Sequence, residues 1–229
     1  MEDGEAAVNP VLPLKAGFFD IEGSVMLNFF FKGGPVMYPL LFCSVISLSI
    51  IFERGLFWLR LSRSRDSGLV GHILELAEKE EYTSALELGK QSKDYIVRML
   101  MGGIAHRRYS LPSALEMGAE EEIKRMSKYL NILDTIITVA PLLGIFGTVI
   151  GIINSFDLLG RAGIEHPQVV TGGIAQALIT TATGLGVAMM TLLPYNYFLS
   201  KIQSASKELE KFGTSLEITF ERQNAKFRQ

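Results

Sequence analysis

A chain of 229 residues with a formal net charge of −2 has no basic surplus to offer a nucleic-acid backbone. Its one cysteine, Cys43, excludes an intrachain disulfide and any zinc or thiol motif. Hydrophobic residues are 48% of the chain but gather in three blocks instead of spreading as a soluble core requires, which points to an all-α integral membrane protein with three transmembrane helices.

The chain opens on Glu2, Asp3 and Glu5, with no basic stretch and no short apolar core behind them. No secretory signal is expected there, and insertion falls to the first span. Residues 1–33 are read as an external segment. Within it, 14–31 carry Phe18, Phe19, Ile21, Val25, Met26, Phe29, Phe30 and Phe31 around Asp20 and Glu22. That pattern is too short and too interrupted to span, and it suits an amphipathic helix lying on the outer interface. Gly33 and Gly34 break it, and Pro35 opens the first transmembrane helix, assigned to 34–59.

Residues 60–130 are soluble in character and read as a cytoplasmic helical loop. Leu69, Ile73, Leu76, Ala77 and Leu86 give helical spacing over 68–90, and 94–108 make a second short helix. Leu111-Pro112-Ser113 is a break with a capping residue. Helix is then expected to run through Ala114, Met117, Ile123 and Met126 into the second span with no further breaker. Glu120, Glu121 and Glu122 read as a solvated helix face, and His72, His106 and His166, which share no metal-ligand spacing, as surface residues.

The second transmembrane helix is assigned to 131–159, an external loop to 160–168 and the third transmembrane helix to 169–200. No charged residue occurs from 167 to 200. At ~1.5 Å per residue that stretch reaches ~50 Å as a single helix, so its C-terminal part projects beyond the bilayer. Residues 201–229 continue it as a cytoplasmic helix with a stripe of Ile202, Leu209, Phe212, Leu216 and Phe220. The second and third spans thus both extend inward as long helices.

Basic residues orient the chain. Arg54, Arg60, Arg63 and Arg65 follow the first span; Arg107, Arg108, Lys124, Arg125 and Lys128 precede the second; Lys201, Lys207 and Lys211 follow the third. The 160–168 loop has only Arg161, and the N-terminal segment only Lys15 and Lys32. The N-terminus is therefore placed outside and the C-terminus in the cytoplasm.

No glycine-rich phosphate loop with a following lysine, no G-x-S-x-G and no His/Asp/Ser set occurs, so the chain is not read as an enzyme. The unusual chemistry lies in the spans. Ala140, Gly144, Gly147, Thr148, Gly151 and Ser155 fall on one stripe about 100° wide at ~100° per residue. Gly173, Gln176, Ala177, Thr180, Thr181, Thr183, Gly184, Ala188 and Thr191 cover roughly 160° of the third span. Glycines and alanines at such spacing let membrane helices approach closely. A threonine hydroxyl bonds back to its own helix cheaply, but a glutamine amide at membrane depth needs a partner. From composition alone a packing face and a polar ion pathway both stand.

Ala140-Pro-Leu-Leu-Gly-Ile-Phe-Gly-Thr-Val-Ile-Gly151 with Asn154-Ser-Phe156 resembles the second-span motif of the ExbB/TolQ/MotA proton-channel family. Gly173-Ile-Ala-Gln-Ala-Leu178, Thr181-Ala-Thr-Gly-Leu185 and Pro194-Tyr-Asn196 resemble its third-span motif. Gly33-Gly-Pro-Val-Met-Tyr-Pro39 and Glu53-Arg54 resemble the start and end of its first span. The likeness runs over about 30–200, and the three-span layout is similar to the ExbB and TolQ branch.

That resemblance implies a homopentamer in the bacterial inner membrane, surrounded by lipid. Its central pore would hold the single spans of two copies of an ExbD-, TolR- or MotB-like partner bearing an intramembrane aspartate. Cation flow at that aspartate would drive work on the envelope; the alternative is a non-conducting scaffold of the same family. Thr148 and Thr181 match the family's pore-lining threonines, and Gly144, Gly147, Gly151, Gly173 and Gly184 are assigned to helix packing. No cofactor is implied. The transported ion is expected to be the proton, with sodium open because the adjacent Thr180 and Thr181 resemble sodium-using members. Thr180 and Gln176 are also assigned to the ion pathway; Gln176 stands where ExbB and TolQ carry a glutamate and cannot titrate.

Overall fold

The computed structural model describes residues 30–162 and 167–227. Every regular element among them is helical: α1 Met37–Arg63, α2 Ser67–Glu78, α3 Tyr82–Gly89, α4 Tyr95–Met126, α5 Leu130–Ala162 and α6 Pro167–Phe227. Three helices are long and apolar enough to cross a membrane, as the three apolar blocks require: Met37–Arg63, Leu130–Gly160 and Thr171–Ala225. The amphipathic helix expected over 14–31 lies almost wholly outside the described residues, as does His166.

The chain divides into two compact units. The first comprises Met1–Phe42 and Ala140–Gly186. Its described core has Val36, Met37 and Leu40 at the start of α1, and Ala140, Ala177 and Thr180 on α5 and α6. Among the described residues Leu142, Ile145, Phe146, Val149 and Ile153 of α5 stand exposed, an apolar surface of the kind that lipid or further chains cover.

The second unit comprises Cys43–Val139 and Val187–Gln229. Ile73, Ile96, Met99, Leu100, Ile104, Met126, Leu133 and Leu209 are its largest fully buried side chains among the described residues. Asp66 caps α2 by accepting from Leu69 N at 2.9 Å, and Asp94 caps α4 by accepting from Ile96 N at 2.9 Å. The single helix expected over 68–90 is two helices, because Glu80 takes a positive φ of 62° between them. Ile202, Leu209 and Leu216 are buried along α6, with Phe212 and Phe220 packed against the same core. Gln223 ties that end down: its Nε2 donates to Ala77 O at 2.8 Å and Glu78 O at 3.0 Å.

Two expectations are corrected here. α4 does not run into the second span. Its helix ends at Met126, Ser127 caps it, and Tyr129 takes a φ of 67° before Leu130 starts α5. The end is held by Arg54, nearly fully buried, whose Nη1 donates to Arg125 O at 3.1 Å and Met126 O at 3.4 Å. A guanidinium thus takes up carbonyls that the helix end leaves free.

The acidic run is the second correction. Glu120 and Glu121 face solvent, but Glu122 is buried and holds Arg98 in a two-pronged ion pair at 2.5 and 2.8 Å. That pairing raises the Arg98 pKa above its ordinary value. The kink in α4 sits at Ser110, with φ −161° and ψ 104°, just ahead of Pro112. Ser110 caps the second half, its hydroxyl 2.9 Å from that of Ser113. His72 and His106 are exposed.

Candidate functional site

Within the first unit, α5 and α6 meet along their small residues. A Cβ added to Gly184 would lie 2.5 Å from Ala140 O and 3.0 Å from Gly144 Cα. One added to Gly144 would lie 3.1 Å from Thr180 O and from Thr181 Cα. At Gly151 the neighbours are Ala177 Cβ and Gly173 O, both 3.0 Å away, and a Cβ on Gly173 would overlap the Ser155 hydroxyl. Gly184 meets the opposite backbone outright, Gly173 meets the Ser155 side chain, and Gly144 and Gly151 leave a side chain only a tight fit; such close approach is how membrane helices gain dispersion and hydrogen-bond contact without a hydrophobic drive.

This close approach brings two hydroxyls together. Thr148 Oγ1 and Thr181 Oγ1 are 3.1 Å apart, and both reach Gly144 O, from 3.3 Å and 3.0 Å. Thr148 also donates to Ile145 O at 2.6 Å. Both threonines are half-buried. Neither hydroxyl carries a fixed charge, and each keeps lone pairs for an outside donor or a hydrated cation.

Thr180 is placed differently. Its side chain is buried against Gly147, where an added Cβ would be 2.7 Å from Thr180 Cβ and Oγ1. Its hydroxyl donates back to Gln176 O and Ala177 O, each at 2.9 Å. Adjacent positions on a helix are ~100° apart, so Thr180 and Thr181 serve different contacts. Among the described residues no hydrogen bond joins the Thr180 hydroxyl to the Thr148–Thr181 pair.

Gln176 does find a neighbour. Its amide lies against Gly34, which adopts a φ of 75°; a Cβ there would overlap the Gln176 side-chain nitrogen. Gly34 therefore has two reasons to be glycine, its left-handed backbone and this contact. In the sequence Gly34 stands at a break and in the first-span motif and Ser155 in the small-residue stripe; their contacts with Gln176 and with Gly173 join residues far apart in the chain and were not read there.

A sequence model of the MotA/TolQ/ExbB proton channel family matches residues 90–211, more than half of the chain. The chain belongs to this family. An ExbB-like biopolymer transport protein of Synechocystis sp. is 36% identical over 203 residues, covering 85% of this chain and 79% of that protein. Biopolymer transport protein ExbB of Pseudomonas putida is 30% identical over 179 residues, 73% of this chain and 53% of its own length. The Tol-Pal system protein TolQ of Haemophilus influenzae is 33% identical over 99 residues, 43% of each chain. The family match takes in all of α4 and α5, and α6 as far as Lys211, and with them the threonine pair and the glycine contacts. Membership and the three apolar helices together make this a membrane protein of a transport family.

Proposed function

We propose that the chain is the ring subunit of an ion-motive-force-driven motor or channel in the bacterial inner membrane. Five copies surround a pore that holds two single-span ExbD- or TolR-like partners, and proton flow at the partner's intramembrane aspartate drives work on the envelope. The N-terminus is outside, and 60–130 and 201–229 are cytoplasmic, as the basic residues indicate.

The hydroxyl pair of Thr148 and Thr181 carries this reading. Half-buried, uncharged and backed by the Gly144 carbonyl, it offers acceptors at the depth where the partner's carboxyl must exchange its proton. Gln176 cannot titrate, so protonation chemistry falls to the partner's aspartate. Thr180 is turned to Gly147 and its hydroxyl is bonded back to its own helix, which favours a proton over sodium, a hard ion wanting several ligands at once.

The test is reconstitution in liposomes with the partner, reading internal pH while sodium is varied at fixed pH. Thr148→Val and Thr181→Val keep the shape and remove the hydroxyl; flux falls at least tenfold while the ring stays intact. Loss of flux on removing sodium overturns the proton assignment. One observation favours a second reading, the non-conducting scaffold: both hydroxyls already bond to helix carbonyls. The absence of any flux from the unaltered chain with its partner decides for it, whereas full flux in both valine variants makes the two threonines packing residues.

A further inference from the structure

The second unit holds a cavity of about 490 Å³ between the last turns of α1 and the middle of α6. Its wall is apolar and aromatic, formed by Trp58, Leu59, Leu61, Tyr197 and Phe198. Its rim is polar, with Ser62, Arg65, Lys201, Ser204 and Glu208. The threonine pair has no part in it.

Position gives this gradation meaning. Lys201 is the first charged residue after the uncharged stretch 167–200, and on α1 Leu59 is followed at once by Arg60 and Arg63, the earlier charges Glu53 and Arg54 being paired with each other. Both walls of the cavity thus turn cationic, at Lys201 and at Arg60, where hydrocarbon gives way to headgroups. Trp and Tyr rings are at home at that boundary.

The charges at the rim are unequal. Glu208 accepts from Arg65 at 2.8 Å and from the Tyr95 hydroxyl at 2.8 Å, so its charge is already met. Arg65 is shared further with Asp94 at 3.4 Å. Lys201 is exposed, makes no ion pair among the described residues, and rests on the Tyr197 ring 5.6 Å from its centroid. What remains unanswered at the rim is the Lys201 ammonium, and Arg60 and Arg63 on the adjoining turn of α1 make no ion pair among the described residues.

We propose that this cavity binds an anionic phospholipid of the adjoining leaflet, its phosphate at Lys201 and its upper acyl chain along Trp58, Leu59 and Phe198. The rest of the acyl chain follows Leu56 and Phe52, which lie exposed on the same face of α1. Basic pockets between membrane helices on the side of the basic loops recognise acidic headgroups in this way. The volume is that of an ordinary small-ligand site, enough for a glycerophosphate and the first carbons of a chain. The proposal does not depend on conduction.

The experiment uses the full chain, purified as its native assembly in mild detergent and titrated with phosphatidylglycerol or with phosphatidylcholine of the same acyl chains. Native mass spectrometry reads the lipid retained. Phosphatidylglycerol binds about fivefold more tightly, the effect of one lysine at an anionic surface. Lys201→Gln abolishes the preference, Lys201→Arg keeps it, and Lys211→Gln, outside the cavity, leaves it unchanged. Glycerol 3-phosphate without acyl chains does not displace the lipid. Equal retention of the two lipids, an undiminished preference in Lys201→Gln, or displacement by glycerol 3-phosphate at equal concentration each overturns the proposal.

Discussion

The hydroxyl of Thr181 on α6 donates to the carbonyl oxygen of Gly144 on α5 at 3.0 Å, and the same carbonyl is within 3.3 Å of the Thr148 hydroxyl. An interhelical hydrogen bond of this kind adds only about 0.6 kcal/mol on average in a membrane. Thr181→Val is therefore expected to lower unfolding stability by no more than about 1 kcal/mol while stopping ion-driven work, and Thr181→Ser restores the work. Comparable fractional losses of stability and flux in Thr181→Val, measured side by side in detergent and in liposomes, count against a role in conduction.

Gly184 has no tolerance for any side chain. Its Cβ would meet the Ala140 carbonyl oxygen at 2.5 Å, and a backbone oxygen cannot swing aside as a side chain can. Gly184→Ala and Gly147→Leu are expected to push α5 and α6 apart and to cost about 2 kcal/mol or more, the scale of overpacking in a filled core. Gly186→Ala, where nothing lies within 4 Å, leaves stability unchanged within about 0.5 kcal/mol. Thermal unfolding of the three variants in one detergent checks this, and a stable Gly184→Ala sinks the close-packing argument.

The ion pair of Glu122 with Arg98 is the strongest test of the second unit. The Glu122 side chain is 6% exposed and that of Arg98 32%. Removing the carboxylate leaves a partly buried guanidinium with fewer acceptors, expected to cost about 1–3 kcal/mol. Glu121→Ala, at 73% exposure, costs about 0.5 kcal/mol or less. Equal effects of Glu122→Ala and Glu121→Ala on unfolding would return Glu122 to the solvated face that the sequence suggested.

The three apolar blocks were legible because a span must be long and uncharged whatever packs on it, and the glycine stripes because close helix approach requires small residues at helical spacing. What stayed hidden depends on partners far along the chain. The break at 127–129 contains neither Gly nor Pro; Tyr129 is held left-handed at a helix end whose carbonyls bind Arg54. Glu122 is buried because Arg98 reaches it across the Ser110 kink, which periodicity does not report. Of the candidate site, the meeting of Thr148 with Thr181 follows from the two stripes facing each other. The separate duty of Thr180 follows only from the detailed register between α5 and α6.

Alkaline pH separates the second unit's network from its surface. Burial first, and then its hydrogen bond to Glu208 at 2.8 Å, hold the Tyr95 hydroxyl well above the ordinary tyrosine value. The unfolded chain releases this proton near pH 10 and the folded chain retains it, so the contribution to stability is complete below about pH 10 and declines above it. Tyr95→Phe flattens the alkaline limb of the stability profile, whereas Tyr109→Phe, at a residue 93% exposed, does not. An unchanged limb in Tyr95→Phe means that other groups set it.

The last prediction concerns Gln176 and Gly34. The amide fills the space where a Gly34 side chain would stand, and Gly34 holds a φ of 75° at the turn that starts α1. Gly34→Ala therefore carries two penalties, about 1–2 kcal/mol for the left-handed backbone and a further amount for displacing the amide. Truncating the amide removes only the second. The double variant Gly34→Ala with Gln176→Ala is thus expected to be less destabilised than the sum of the two single variants by about 0.5–1 kcal/mol, a coupling that two unrelated packing defects do not show. Gln176→Glu preserves the shape and is expected to fold and assemble, since the relation to Gly34 is one of volume. Unfolding in detergent measures the cycle, and strict additivity places the two residues out of contact. Loss of assembly in Gln176→Glu alone, with Gln176→Ala assembled, shows instead that the neutral amide is required for its chemistry rather than for its shape.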